Sequence, residues 1–218
     1  MADDEVKRRQ YESPARAAAA RRTHRRIRAA AEDLFTRNGY EGTSMRAVAA
    51  AAGVSERTVF LAFPTKAALL SECIRVAVRG GDEDTPLLDR PSFRAALDAP
   101  PERMLAAIAE ASTALMARAA RLLAVGEAAG VTDPVLEEHR RRGHEATLAD
   151  AIAMAKALRR VGLLRKGLTV QRAADRIYAL AASESVYLRL VEQRGWTDAA
   201  YARALEDALR GALVDIPA

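Results

Sequence analysis

The run Ser55-Glu56-Arg57-Thr58 sets a hydroxyl, a carboxylate, a guanidinium and a second hydroxyl on four successive residues. These groups make hydrogen bonds rather than covalent intermediates. Arginine suits guanine edges and phosphates, and threonine offers both a hydroxyl and a methyl group. Other candidates for chemistry are poorer. Cys73 sits among Leu69, Leu70 and Ile74, as a buried thiol acting as a small hydrophobe would. His139 and His144 are five residues apart, on different faces of a helix, within the highly charged EEHRRRGHE. That stretch reads as solvated rather than as a metal site. No Ser/His/Asp set, metal-ligand spacing or phosphate loop is apparent, so no catalytic residue, cofactor or metal is expected.

The residues around Ser55 explain how such a face is presented. In VAAAAGVSERTVF, from Val48 to Phe60, an alanine-rich helix stops at Gly53 and a second starts at Ser55. Alanine favours helix, and Gly53 supplies a backbone with positive φ at low cost. Ser55 caps the second helix, and Glu56 adds favourable charge at its positive end. Val54 pins the turn to the core, and small Ala49 lets the helices cross closely. Val48, Ala52 and Val59 complete the inner face. This is a helix-turn-helix pattern. It leaves Glu56, Arg57, Thr58 and Leu61 outward, on a face that fits a major groove about 12 Å wide. The plainer alternative is a bend in a helical bundle.

Charge is distributed unevenly. Residues 1 to 80 carry 15 Lys and Arg against 9 Asp and Glu, while the remainder carries 19 against 20. The net charge of +5 therefore lies in the first third. Such asymmetry suits a nucleic-acid or anionic-membrane contact made by one module, or else a solvated basic face. A membrane-surface role would need a bulky apolar face that the basic arm lacks. No apolar run approaches a membrane span, the N-terminus lacks a signal-peptide core, and the lone cysteine excludes an internal disulfide. A cytoplasmic protein with no membrane partner is expected.

The composition is rich in Ala, Leu, Arg and Glu and poor in aromatics, which predicts an all-α fold of about nine helices. Residues 1–15 read as a flexible arm ending at Pro14. Ile27, Ala31, Leu34 and Phe35 form the apolar stripe of a first helix from Arg16 to Asn38. Short helices follow from Ser44 and Ser55, and a fourth runs from Thr65 to Arg79. GGDEDTPLLDRPS reads as a linker. Longer helices are predicted over 101–119, 121–129, 133–158, 169–193 and 197–214. This divides the chain into the arm, a DNA-binding unit over 16–66 and a C-terminal unit over 67–218.

The stretch RRIRAAAEDLFTRNGYEGTSMRAVAAAAGVSERTVFLAFPTKAALL, Arg25 to Leu70, resembles the DNA-binding domain of the TetR family of transcriptional regulators. YLRLVEQRGWTDAAYARALEDALRGAL, Tyr187 to Leu213, is similar to the last two helices of many actinobacterial members. The resemblance implies a homodimer that binds double-stranded, pseudo-palindromic operator DNA. It also implies a C-terminal pocket whose occupation by a small molecule releases the DNA. By position, Thr43 and Ser44 would contact phosphate at the start of the second helix. Ser55, Glu56, Arg57 and Thr58 form the reading helix, with Arg57 and Thr58 addressing bases or backbone. Phe60 aligns with a tyrosine that touches phosphate but lacks its hydroxyl, and Ala62 replaces a frequent histidine. Lys66 matches a lysine that meets phosphate beside the fourth helix. Arg21, Arg22, Arg25 and Arg26 would track the backbone or reach a minor groove.

Two reading heads need a twofold dimer. The last two helices offer candidates for its interface: Ile177, Leu180, Ala181, Tyr187 and Leu188 on one, Tyr201, Leu205, Leu209, Ala212 and Leu213 on the other. Trp196 would staple their hairpin. Met104, Met116, Met154 and Tyr178 are the candidates for lining a pocket for a small apolar or amphipathic ligand. The rival reading is a helical enzyme or small-molecule carrier with an incidental basic head.

Overall fold

A computed structural model describes residues 14–83 and 85–215. Among the described residues there is helix and no strand. The first four helices are α1 (Pro14–Asn38), α2 (Met45–Ala52), α3 (Glu56–Ala62) and α4 (Lys66–Arg79). The remaining six are α5 (Pro91–Leu97), α6 (Pro101–Gly130), α7 (Pro134–Arg160), α8 (Val170–Ala181), α9 (Glu184–Tyr187) and α10 (Asp198–Leu213). A 3-10 turn at Leu87–Asp89 precedes α5, and a π turn at Leu188–Gln193 prolongs α9. Most of the predicted arm lies outside the described residues; Pro14 and Ala15 belong to α1.

Local chemistry sets most boundaries. Ser44, Ser55, Thr65, Asp133, Thr169 and Thr197 each accept a backbone amide at a helix start. Gly53 and Gly80 end α2 and α4 in the left-handed conformation.

Three predicted elements are corrected. The expected break near Ala120 does not exist, because α6 runs unbroken for 30 residues with Ala119, Ala120 and Leu122 buried along it. No glycine or proline stands there to stop it. The helix expected over 169–193 is instead broken at Ala182-Ser183, where the Ser183 hydroxyl caps a new start by accepting from Val186 N. The linker is partly folded. Pro91 occupies the first turn of α5, which buries Phe93 and Ala96 against α6.

The hydrophobic centre of the first four helices is Ile27, Ala31 and Phe35 of α1 with Val48, Val59, Leu69 and Leu70. Helix α4 packs on both α1 and α6, so it joins this group to the larger body. Helix α6 is the axis of that body, contacting α4, α5, α7, α9 and α10, while α8 packs on α7 and α10. Arg118 of α6 reaches back to the Ala77 carbonyl at 3.3 Å, satisfying an open carbonyl in the last turn of α4.

Candidate nucleic-acid interface and ligand cavity

Gly53 holds the turn between α2 and α3 at φ 63°, ψ 42°. Its neighbour Val54 donates its amide to the Ala49 carbonyl at 3.0 Å. The Arg26 guanidinium lies over the turn and donates to the Ala52 carbonyl at 2.6 Å and to the Gly53 carbonyl at 3.3 Å. A Cβ on Gly53 would stand 3.0 Å from Arg26 Nη2, so the glycine answers both a backbone and a space requirement. Arg26 thus closes the carboxyl end of α2 while remaining exposed at the surface.

The other predicted nucleic-acid residues divide clearly. Arg21, Arg22, Arg25 and Arg57 are exposed. Glu56 is exposed and lies 3.9 Å from Arg46 of α2, a surface cation that the sequence reading passed over. Ser44 and Ser55 cap their helices, and Thr58 turns its hydroxyl to Ser55 Oγ at 2.8 Å. Phe60 and Leu61 are 47% and 77% exposed, large apolar groups left in water on a short helix. Phe60 thus presents its ring outward in place of the missing phenol.

Two candidates sit elsewhere than expected. Thr43 is 2% exposed and donates its hydroxyl to the Gly39 carbonyl at 2.8 Å, so it faces the interior. Lys66 donates from Nζ to the Tyr40 carbonyl at 2.9 Å and lies over the Tyr40 ring, 4.1 Å from its centroid. Tyr40 in turn donates its phenol to Asp133 Oδ2 at 2.9 Å. Burial, and then the bond to Asp133, raise the Tyr40 pKa. Burial pushes the Asp133 carboxyl upward, but the Tyr40 bond, the Leu136 and Val135 amides and the Lys66 charge outweigh it and hold it below the ordinary value. Nothing local marks Tyr40 in the sequence, since its partner lies 93 residues away. Cys73 is buried, and desolvation pushes its thiol up to about 12, which keeps it protonated.

A cavity of about 950 Å³ opens between α4, α6, α7 and α8. Met116, Met154 and Tyr178 line it; Met104 does not, being 1% exposed in the core. The charged stretch of α7 is not simply solvated. His144 turns to the cavity wall, with Nε2 2.9 Å from Glu127 Oε1 and Nδ1 2.6 Å from the Tyr178 hydroxyl. A carboxylate only accepts, so Nε2 donates to Glu127, while Nδ1 faces the Tyr178 hydroxyl. Asp150 also lines the cavity, and burial raises its pKa. Sequence periodicity could not find it, because it is an ordinary acidic residue on a charged helix. Among the described residues no three His, Cys, Asp or Glu side chains gather to hold a metal ion.

Six of the predicted interface residues, Ile177, Tyr187, Tyr201, Leu205, Leu209 and Leu213, are buried within the protomer. They have no surface to give a partner, because α10 packs its apolar face on α6 and α8. Leu180, Ala181, Leu188 and Ala212 are half-buried against the same core. One side of α10 carries Ala200, Ala204, Ala208 and Gly211 at close helical spacing, the first two half-buried and the last two exposed. Val186 and Trp196 are exposed; Trp196 holds the turn by its backbone amide, donated to the Leu190 carbonyl at 3.0 Å, rather than by a buried ring.

Residues 27–73 match the family model of bacterial regulatory proteins of the TetR family. No curated relative matches the chain. Several solved structures share the fold. A protein of Saccharomonospora viridis assigned as a transcriptional regulator, in complex with choline, is similar with TM-score 0.71 and 18% identity, covering 90% of this chain and 100% of that one. The transcriptional regulator FadR of Bacillus subtilis, in complex with stearoyl-CoA, gives TM-score 0.68 and 18% identity, covering 87% and 98%. NalD, the secondary repressor of the MexAB-OprM multidrug efflux pump in Pseudomonas aeruginosa, gives TM-score 0.65 and 24% identity, covering 89% and 98%.

Proposed function

We infer the function from one premise: this chain carries the DNA-binding domain of the TetR family of bacterial regulatory proteins. It is a DNA-binding transcriptional regulator, and we read it as a repressor released from its operator by a small molecule. The observation that carries the reading is the free face of α3, where Arg57 is exposed beside Phe60 and Leu61. Arg57 addresses a base edge or a phosphate. Leu61 offers apolar contact of the kind a thymine methyl receives. Arg21, Arg22 and Arg25 extend the same positive surface along α1 and follow the phosphate backbone.

The reading unit spans residues 16–66, and the body over 67–218 pairs two copies and holds the ligand. Pairing uses the side of α10 that carries Ala200, Ala204, Ala208 and Gly211, where small residues allow close approach. Two reading heads related by a twofold axis then meet a pseudo-palindromic operator. The cavity between α4 and α7 takes an apolar or amphipathic molecule. Ligands held by the choline-bound and stearoyl-CoA-bound structures of the same fold support this assignment. A ligand that binds better to the DNA-incompetent arrangement lowers operator affinity by that difference in affinity. Such a protein acts in the cytoplasm; among the described residues, no helix is long and apolar enough to cross a membrane.

The test is recovery of genomic DNA fragments by the purified protein. The expected result is enrichment of fragments sharing one inverted repeat. Equal recovery of all fragments would contradict the reading.

A further inference from the structure

The walls of the cavity are apolar over most of their area, through Ile74, Phe93, Leu115, Met116, Leu123 and Met154. Their charges are unequal in one respect. Each arginine at the cavity is already engaged. Arg75 makes two hydrogen bonds of 2.7 Å to Glu72, one to each carboxylate oxygen. Arg140 makes two of 2.8 Å to Glu137 and lies 3.6 Å from Glu127. Arg142 donates to Glu138 at 2.7 Å, and Arg79 is engaged as well. Glu127 is further occupied by His144, whose other nitrogen is taken by Tyr178.

Asp150 stands apart from these pairs. It lines the cavity half-buried, and among the described residues no hydrogen bond or ion pair reaches its carboxylate. Glu184, at the start of α9, lines the same cavity with no ion pair among the described residues. Ser71 of α4 also lines it, and its Oγ is buried without a hydrogen-bond partner. An uncompensated carboxylate beside apolar surface costs folding free energy that the protein does not recover internally. A bound cation would recover it. An anion would meet guanidinium groups that are each already engaged, and would compete with those contacts.

We propose that the cavity is a binding site for apolar-bodied organic cations, with the Asp150 carboxylate as counter-ion and the Ser71 hydroxyl as a supplementary hydrogen-bonding group. The site rests on the reading of this cavity as the ligand chamber, and it narrows the ligand class from any amphipathic molecule to a cationic one. Burial of Asp150 strengthens its attraction for a cation, because the intervening dielectric is lower than water.

The experiment is isothermal titration calorimetry of the full-length protein with tetraphenylphosphonium and tetraphenylborate. These ions share size and apolar surface and differ in the sign of charge. The expected result is that the phosphonium binds at least about tenfold more tightly than the borate, about 1.4 kcal/mol of preference. Asp150→Asn and, as a second variant, Asp150→Ala should each remove most of that preference. Circular dichroism checks that each variant is folded. The proposal is overturned if the borate binds as well as the phosphonium, if neither ion binds, or if both folded variants keep the full preference. A parallel titration with operator-bound protein separates the two readings. Phosphonium that binds without releasing DNA upholds the cation site and removes the ligand-relief mechanism. Binding of neither ion to the free protein overturns the cation site and leaves the ligand-relief mechanism standing.

Discussion

Tyr40 donates its phenolic hydrogen to Asp133 across 2.9 Å, and so ties the turn between α1 and α2 to the N-cap of α7. One carboxylate thereby serves two purposes: Oδ1 accepts the Val135 and Leu136 amides that begin α7, and Oδ2 accepts Tyr40. Lys66 completes the group from the start of α4 by bonding the Tyr40 carbonyl. The reading head and the cavity wall meet at these three residues. The link is short enough to test by mutation.

Tyr40→Phe removes the link and leaves the ring over which Lys66 lies. The expected loss is about 1 kcal/mol of unfolding free energy, at the lower end for a bond to a charged group because the pair is partly solvated. Urea denaturation measures it. Asp133 adds a pH signature. Its folded pKa lies below the unfolded one, so its contribution is fully present above the unfolded value of about 3.9 and is lost as pH falls through the folded value. Asp133→Asn should therefore destabilise at pH 7 and cost progressively less in the acid range. A penalty that stays constant with pH would show that the carboxylate charge plays no part.

The turn at Gly53 gives a second prediction, in which two glycines separate two causes. Gly53 and Gly162 both hold positive φ, at 63° and 77°. A Cβ on Gly162 meets nothing within 4 Å, whereas one on Gly53 meets Arg26 at 3.0 Å. Gly162→Ala should cost only the left-handed backbone, about 1 kcal/mol. Gly53→Ala should cost more, by roughly the hydrogen bonds that Arg26 makes to the end of α2, a further 1 kcal/mol or so. Equal costs in thermal or urea unfolding would remove Arg26 from the account of the turn.

These residues also mark how far sequence carries. The four N-terminal helices, their caps at Ser44, Ser55 and Thr65 and the stop at Gly53 are legible, because each depends on residues within one turn of the chain. Arg26, Thr43 and Lys66 are legible as polar, but their partners Ala52, Gly39 and Tyr40 are not, because packing sets them. The break before Ser183 was invisible for another reason: serine fits both a helix interior and a cap, and only the packed structure selects one. The unbroken α6 reflects the opposite case, a helical run where no residue supplies a stop.

Asp150 gives a prediction with the opposite sign to Asp133. Burial raises its folded pKa above the unfolded one, so folding is favoured when it is protonated and stability declines as pH rises from about 4 through the folded value. Asp150→Asn should then raise the melting temperature at pH 7 and leave it nearly unchanged near pH 3.5. A lowered melting temperature at neutral pH would mean that the carboxylate has a stabilising partner in the folded protein.

The α10 face gives the prediction for assembly. Ala208→Arg places a long charged side chain among Ala200, Ala204 and Gly211 at an exposed position of α10. Analytical ultracentrifugation should show the unaltered protein as a dimer and the variant as a monomer of 23.5 kDa with unchanged helical content. A variant that remains fully dimeric would move the interface to another surface.

The most direct measurement of the central claim is fluorescence anisotropy of the protein on its selected DNA site and on a scrambled duplex across a salt series. The unaltered protein should prefer the selected site, with affinity falling steeply as salt rises. Arg57→Ala should weaken binding by about 1–3 kcal/mol and narrow the gap between the two duplexes, whereas Arg25→Ala should weaken both alike and reduce the salt slope by about one. If Arg57→Ala and Arg25→Ala both bind the two duplexes as the unaltered protein does, the face of α3 is not the reading surface and the account fails.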